Sequence, residues 1–213
     1  MAAPNSKVKI CNLSMDHLKQ SAVIASIDVP TTDEEKVCSR WYDAIRRKLM
    51  RAHPWTFARS RAALNRNATA PSFGYADAYD LPNNFLNLRF IGDDSILDIK
   101  RKYEIEGRQI LIDNGGTVTL NIGYTKDEDD VSKFDAIFVT VLALALAQKI
   151  AYKFTLKLSV VNSIKKDLLE ELNEAKAVNG QDRPPIRYEK SKYITARRGL
   201  SSNVASAFTR FPE

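Results

Sequence analysis

The sequence predicts an α+β fold: a bundle of about four helices, a small antiparallel β meander inserted between the second and third, and an extended C-terminal arm. Three observations carry this. Apolar residues recur at three- and four-residue steps in four separate windows. Short alternating runs divided by glycine turns occupy the middle of the chain. Beyond Gly180 neither period can be sustained.

The first helix is expected over residues 7–21, where Val8, Cys11, Met15, Leu18 and Ala22 share a face. The second, over 32–53, opens on Thr32-Asp33-Glu34-Glu35, a capping box in which hydroxyl and carboxylate satisfy each other's free backbone N–H groups. Cys38, Trp41, Tyr42, Ile45 and Leu49 form its apolar stripe, Arg46, Arg47, Lys48 and Arg51 suit the negative end of the dipole, and Pro54 stops it. Residues 55–84 read as irregular backbone anchored by Phe57, Phe73, Tyr75 and Tyr79. A β region over 86–124 follows, with strands at 86–91, 102–106, 108–113 and 117–124, and alternation from Thr117 to Ile122 predicts one buried sheet face. The third helix, over 132–154, follows the acid cluster Asp127 to Asp130, expected as a solvated helix start. From Phe134 to Leu146 it is apolar nearly all round and so demands cover on several sides. The fourth, over 159–178, carries Val161, Ile164, Leu168, Leu172 and Ala175 on one face and ends at Asn179-Gly180, the pattern of a left-handed cap. This gives a domain over 1–180 and an arm over 181–213.

Composition narrows the function. The longest apolar run, Ala136 to Ala147, is too short for a bilayer core of roughly 30 Å, and the N-terminus shows no secretory pattern, so folding in a cytoplasm is expected. Cys11 and Cys38 are expected as two reduced core thiols. The net charge of +6 is uneven. From Arg40 to Arg66 eight cations (Arg40, Arg46, Arg47, Lys48, Arg51, Arg59, Arg61, Arg66) stand against Asp43. Residues 181–213 carry seven against three acids, together with scattered aromatics, which predicts a segment ordered on docking. The chain has two histidines, His17 and His53, neither in a recognisable catalytic motif, and its acid run lacks the glycine and distal glutamate of a calcium loop. No enzyme activity, metal or cofactor is therefore expected.

One block is more specific than composition. Leu49-Met50-Arg51-Ala52-His53-Pro54-Trp55-Thr56-Phe57-Ala58 resembles the tail tubular protein A, or head-to-tail adaptor, family of short-tailed (podovirus-type) bacteriophages. The resemblance begins at Ile10-Cys11-Asn12-Leu13, passes through Trp41-Tyr42-Asp43-Ala44, and continues at Phe73-Gly74-Tyr75-Ala76, Tyr79-Asp80-Leu81-Pro82, Tyr103-Glu104-Ile105-Glu106-Gly107-Arg108 and Phe134-Asp135-Ala136-Ile137-Phe138-Val139. It covers roughly residues 8–180. It implies a virion protein in the neck of the particle: a homo-oligomeric, dodecameric ring beneath the portal protein, joined to the tail nozzle and tail fibres, with genomic DNA passing through its channel.

Trp41, His53, Pro54, Trp55 and Phe57 are the structural signature in this reading, with Trp41, Trp55 and Phe57 expected to be buried where bundle meets sheet. Tyr188, Tyr193, Arg197, Arg198, Phe208 and Phe211 are the expected portal-binding residues of the arm, because aromatics and arginine supply most interface hot spots. Two other readings stay open. One is a nucleic-acid-binding module that uses Arg40 to Arg66 with Trp55 and Phe57 interleaved. The other is a cell-wall-degrading tail enzyme, although no pair of carboxylates has acid–base spacing.

Overall fold

A computed structural model describes residues 6–20, 23–92 and 102–182, which lie within one compact unit, Met1–Asp182. Among them are four α-helices and six strands, in the order α1 (Lys7–His17), α2 (Asp33–Ala52), β1 (Arg59–Asn65), β2 (Asp77–Asp80), β3 (Phe85–Ile91), β4 (Tyr103–Glu106), β5 (Gln109–Ile112), β6 (Thr119–Lys126), α3 (Ala136–Thr155) and α4 (Leu158–Gln181). The fold is α+β.

The helix α3 is the centre of the larger core. Phe138, Val141, Leu142, Ala143, Leu146 and Ala147 are fully buried, and α1, α2 and α4 each pack on it. Its length and mean hydropathy of 1.6 would suit a bilayer span, yet its apolar side chains are spent on the three helices around it. The helix starts later than the sequence suggests. Val131–Lys133 form a separate 3-10 turn, Phe134 and Asp135 are extended, and the Asp135 carboxylate caps α3 by accepting from Ile137 N–H. This extended residue pair breaks the helix that periodicity alone would continue.

The other helices differ from expectation at their ends. The helix α1 stops at His17, because Lys19 takes the left-handed conformation (φ 54) and Asn12 clamps the returning chain through both Ile24 N–H and C=O. The capping box of α2 is present, and His53 is its C-cap. The helix α4 runs through Gly180 to Gln181, so Asn179-Gly180 is not a left-handed cap; Asn179 instead turns inward and is buried. Cys11 and Cys38 are free and buried, and each thiol is within hydrogen-bonding reach of the other; that bond, with burial, pushes the Cys11 thiol up.

The β region corrects the expected meander. Two three-stranded antiparallel sheets form, ordered β1-β6-β3 and β2-β5-β4. Four strands match expected runs, but β1 and β2 lie in the stretch expected to be irregular. Strand β1 reads Arg-Ser-Arg-Ala-Ala-Leu-Asn, with little β-branched or aromatic content to announce it; it is a strand because β6 pairs with it along its whole length. Gly107 (φ 55) turns β4 into β5, and Gly115 and Gly116 (φ 61 and 72) return the chain toward β6. The alternation expected from Thr117 to Ile122 holds only from Thr119, where β6 begins, since Val118 is 70% exposed; beyond Ile122 both faces are covered. Leu64, Ile91, Leu120, Ile122 and Tyr124 from one sheet meet Tyr79, Ile110 and Ile112 from the other in a second core. Phe73, expected as an anchor, is 88% exposed.

Candidate functional site

The densest block of the resemblance folds into the joint between α2, β1, α3 and α4. Pro54 ends α2, and Trp55 drops into the core at 1% exposure. Its indole packs edge-on against Phe138 at 5.0 Å and beside His53 at 4.8 Å, and its Nε1 donates to Leu49 C=O at 3.0 Å. Phe57 lies 4.9 Å from Phe138 and 5.5 Å from Phe134, completing a cluster of five rings with His53 at its edge. Trp41 does not join it. That side chain is 37% exposed on the flank of α2, with Lys149 Nζ 5.5 Å from its ring, because Val37, Tyr42, Ile45 and Met50 hold the inward face.

Asn179 locks the far end of α4 to this joint. Its Oδ1 accepts from Thr56 N–H at 2.9 Å and from Thr56 Oγ1 at 3.1 Å, while its Nδ2 donates to Pro54 C=O. Those partners fix the amide orientation, so the 2.9 Å contact to His53 Nε2 is one in which the ring nitrogen accepts. His53 is therefore a structural acceptor here. His17 is exposed at the last turn of α1.

The basic stretch Arg40 to Arg66 does not form one patch. Arg46, expected as one of the cations that suit the end of the α2 dipole, is 2% exposed. Its guanidinium meets Asp43 at 3.3 Å, Asp127 at 2.6 Å and the carbonyl of Glu128. Arg47 reaches the other oxygen of Asp127 at 2.7 Å. Arg66 bonds Asp77, and Arg51 donates to Leu86 C=O. This also corrects the reading of the acid cluster as a solvated helix start. Asp127 ties the end of β6 to α2, and Glu128 is 4% exposed between Lys126 at 2.5 Å and Lys133 at 3.4 Å. Burial pushes the Glu128 carboxyl up, but Lys126, the Asp130 N–H and Lys133 outweigh it and leave it below the ordinary value.

What remains on the outside is sorted by sheet. Arg59 and Arg61 lie on β1 with their guanidinium carbons 5.1 and 5.8 Å from the Phe90 ring centre. Glu104 and Glu106 on β4 and Asp80 on β2 are exposed, and the first two line a groove of about 640 Å³ beneath the loop from Asn67 to Tyr75. Sequence reasoning missed both faces. The available signal was charge at period two, Arg59/Arg61 and Glu104/Glu106.

No group of three or more His, Cys, Asp or Glu side chains placed to hold a metal ion occurs among the described residues. Tyr188, Tyr193, Arg197, Arg198, Phe208 and Phe211 lie outside the described residues. No protein-family model matches the chain, and no curated protein matches it.

Proposed function

We propose that this protein is a structural virion subunit, the head-to-tail adaptor of a short-tailed phage, forming a ring between the portal and the tail nozzle around the DNA channel. The observation that carries the reading is the behaviour of the block from Leu49 to Ala58, the most specific part of the resemblance. Trp55 and Phe57 join the cluster with Phe134 and Phe138, and His53, Pro54 and Thr56 meet Asn179, so that one short segment ties α2, β1, α3 and α4 together. A block so placed is expected to vary little among proteins of one fold, which is what makes the resemblance informative.

The arm from residue 183 onward supplies the portal contact in this reading, with aromatic anchors and Arg197 and Arg198 facing portal carboxylates. Native mass spectrometry with a purified portal ring tests the proposal. A complex carrying a closed set of copies per portal is the expected result; a protein that never binds the portal, or binds it as scattered single copies, would overturn it.

A further inference from the structure

The two edges of the β2-β5-β4 sheet differ. The β2 edge is closed by the chain itself: Arg66 bridges to Tyr79, and Asn67 N–H donates to Ala78 C=O at 2.8 Å. The β4 edge has no ladder partner among the described residues. Strand β4 is also the only described strand that is exposed at every position. It lacks the proline, lysine or bulge with which edge strands are commonly blunted.

Its two faces carry different chemistry. Tyr103 and Ile105 pair with Ile112 and Ile110, so they lie on the face of the second core, yet they stay 46% and 40% exposed because the sheet ends there. Glu104 and Glu106 pair with Leu111 and Gln109 on the opposite face, beside Ala78 and Asp80. Glu104, Glu106, Leu111 and Ala78 line the groove of about 640 Å³, with Phe73 supplied by the loop above. Among the described residues neither Glu104 nor Glu106 has a side-chain hydrogen bond or ion pair; Arg108, two residues beyond Glu106, donates instead to Pro82 C=O at 2.7 Å. Asn67 and Gln109 hold the Asp80 carboxyl below its ordinary value, which adds to the acidity of this face. Lys102 precedes the strand, and the carboxylates outnumber it.

We propose that β4 takes an extended segment of another protein as an added strand, one that alternates cationic with apolar side chains. Each part of that pattern follows from the edge. Main-chain N–H and C=O groups along an open strand bond an extended backbone, which gives attachment. Side chains of the added strand alternate between faces, so every second one meets the groove and the others lie beside Tyr103 and Ile105. Lysine or arginine suits the first set, because Glu104 and Glu106 are unpaired there and Phe73 offers an aromatic face. Valine, isoleucine or an aromatic residue suits the second, because it removes the apolar surface of Tyr103 and Ile105 from water. A second copy of β4 does not meet the pattern: pairing two such edges sets glutamate beside glutamate, and like charges across a ladder are destabilising. The inference does not rest on the adaptor reading, because the edge belongs to the folded unit whatever that unit is attached to.

Fluorescence anisotropy of a labelled synthetic peptide of alternating lysine and valine, titrated with the full chain, tests it. The peptide should bind saturably. One with the same composition but its lysines grouped at one end should bind about tenfold more weakly, as should one N-methylated along its backbone, which keeps every side chain but cannot donate to a strand edge. Glu104→Lys/Glu106→Lys should lose the lysine peptide and gain a peptide of alternating glutamate and valine, an exchange that an unfolded variant cannot show. Glu104→Gln/Glu106→Gln should weaken the lysine peptide and gain nothing. All of these changes are at exposed positions, and unchanged circular dichroism melts will verify folding. No binding at low salt, equal binding of the grouped or N-methylated peptide, or a reversed variant that still prefers lysine would overturn the inference. So would either rival occupant: a peptide of residues 183–213 that takes this edge in place of the alternating one, or self-association of the chain that Glu104→Gln/Glu106→Gln abolishes. Peptide binding by a chain that ignores the portal sinks the adaptor reading alone; a portal-bound ring with no affinity for the peptide sinks this edge alone.

Discussion

Trp55 has aromatic neighbours on two sides and a hydrogen bond at its polar edge, so its replacement by alanine removes both packing and a satisfied donor. Trp55→Ala is expected to cost about 3–5 kcal/mol in urea melts. A loss of a few tenths would mean that the joint closes without it. Tyr42 points the opposite way. Its hydroxyl is buried without a hydrogen-bond partner among the described residues, and burial raises its pKa. Tyr42→Phe removes an unpaired polar atom while keeping the ring, and should raise stability by about 1 kcal/mol, read as a higher urea midpoint at unchanged slope. Glu35 accepts N–H groups from Ala25, Ser26, Thr31 and Thr32 and the hydroxyl of Thr31. The Thr31, Thr32 and Ala25 amides hold its carboxyl down, from the ordinary 4.5 to about 2. The folded value lies below the unfolded one, so its stabilisation is complete above pH 4.5 and is lost as pH falls toward 2. Glu35→Gln should therefore be less stable than wild type at neutral pH, with the gap closing over that window. A gap independent of pH would show that the carboxylate charge is not what matters. The capping partners Thr32 and Glu35 were legible in sequence; the amides of Ala25 and Ser26, ten and nine residues upstream, were not, since only the folded loop brings them there.

At the scale of elements, α2 is fastened to the end of β6 by a buried arginine rather than by apolar packing alone. Removing one partner of a buried ion pair leaves the other charge desolvated, so Arg46→Ala is expected to cost about 3–5 kcal/mol. Arg47→Ala, on the same helix and the same Asp127 but 60% exposed, should cost about 0–1 kcal/mol. Equal effects from the two would refute the latch. An Arg46→Ala/Asp127→Ala double variant should lose less than the sum of its single changes, because the pair acts as a unit. The sequence showed Arg46 only as one of four cations near a helix end, and helical periodicity places it beside the stripe without saying that Asp127, far along the chain, arrives opposite. The same limit hid β1. Helix cores were readable because their apolar spacing is local, as in the Ile164 and Ala175 face of α4. Strand β1 owes its existence to a partner some sixty residues away, and its polar outer face and small inner residues are weak local signals. The break before α3 was likewise invisible to periodicity, since Phe134 is apolar in either conformation and Asp135 serves equally as helix residue or cap.

For the whole molecule, the described fold keeps its core within residues 6–182, and none of the named core residues falls beyond Ala175. The last 31 residues, Arg183–Glu213, carry Arg183, Arg187, Lys190, Lys192, Arg197, Arg198 and Arg210 against Glu189 and Glu213, with Tyr188, Tyr193, Phe208 and Phe211 among them. That composition was legible at once, whereas the opposed charge of the two sheets was not: Arg59 and Glu104 are remote in sequence and acquire meaning only when register fixes their faces. In the proposed adaptor reading, attachment to the portal belongs to residues 183–213. Deleting those residues should leave the melting profile of the 6–182 core close to that of the full chain, because its caps, ring cluster and buried ion pairs are retained. The truncated chain should fail to co-sediment with a purified portal ring. In a ring, each docked arm raises the effective concentration for the next, so partial occupancy should be rare and binding should fall steeply when truncated and full chains are mixed. A truncated chain that still loads the portal to full stoichiometry would transfer portal attachment from the arm to the helices or sheets of the folded unit.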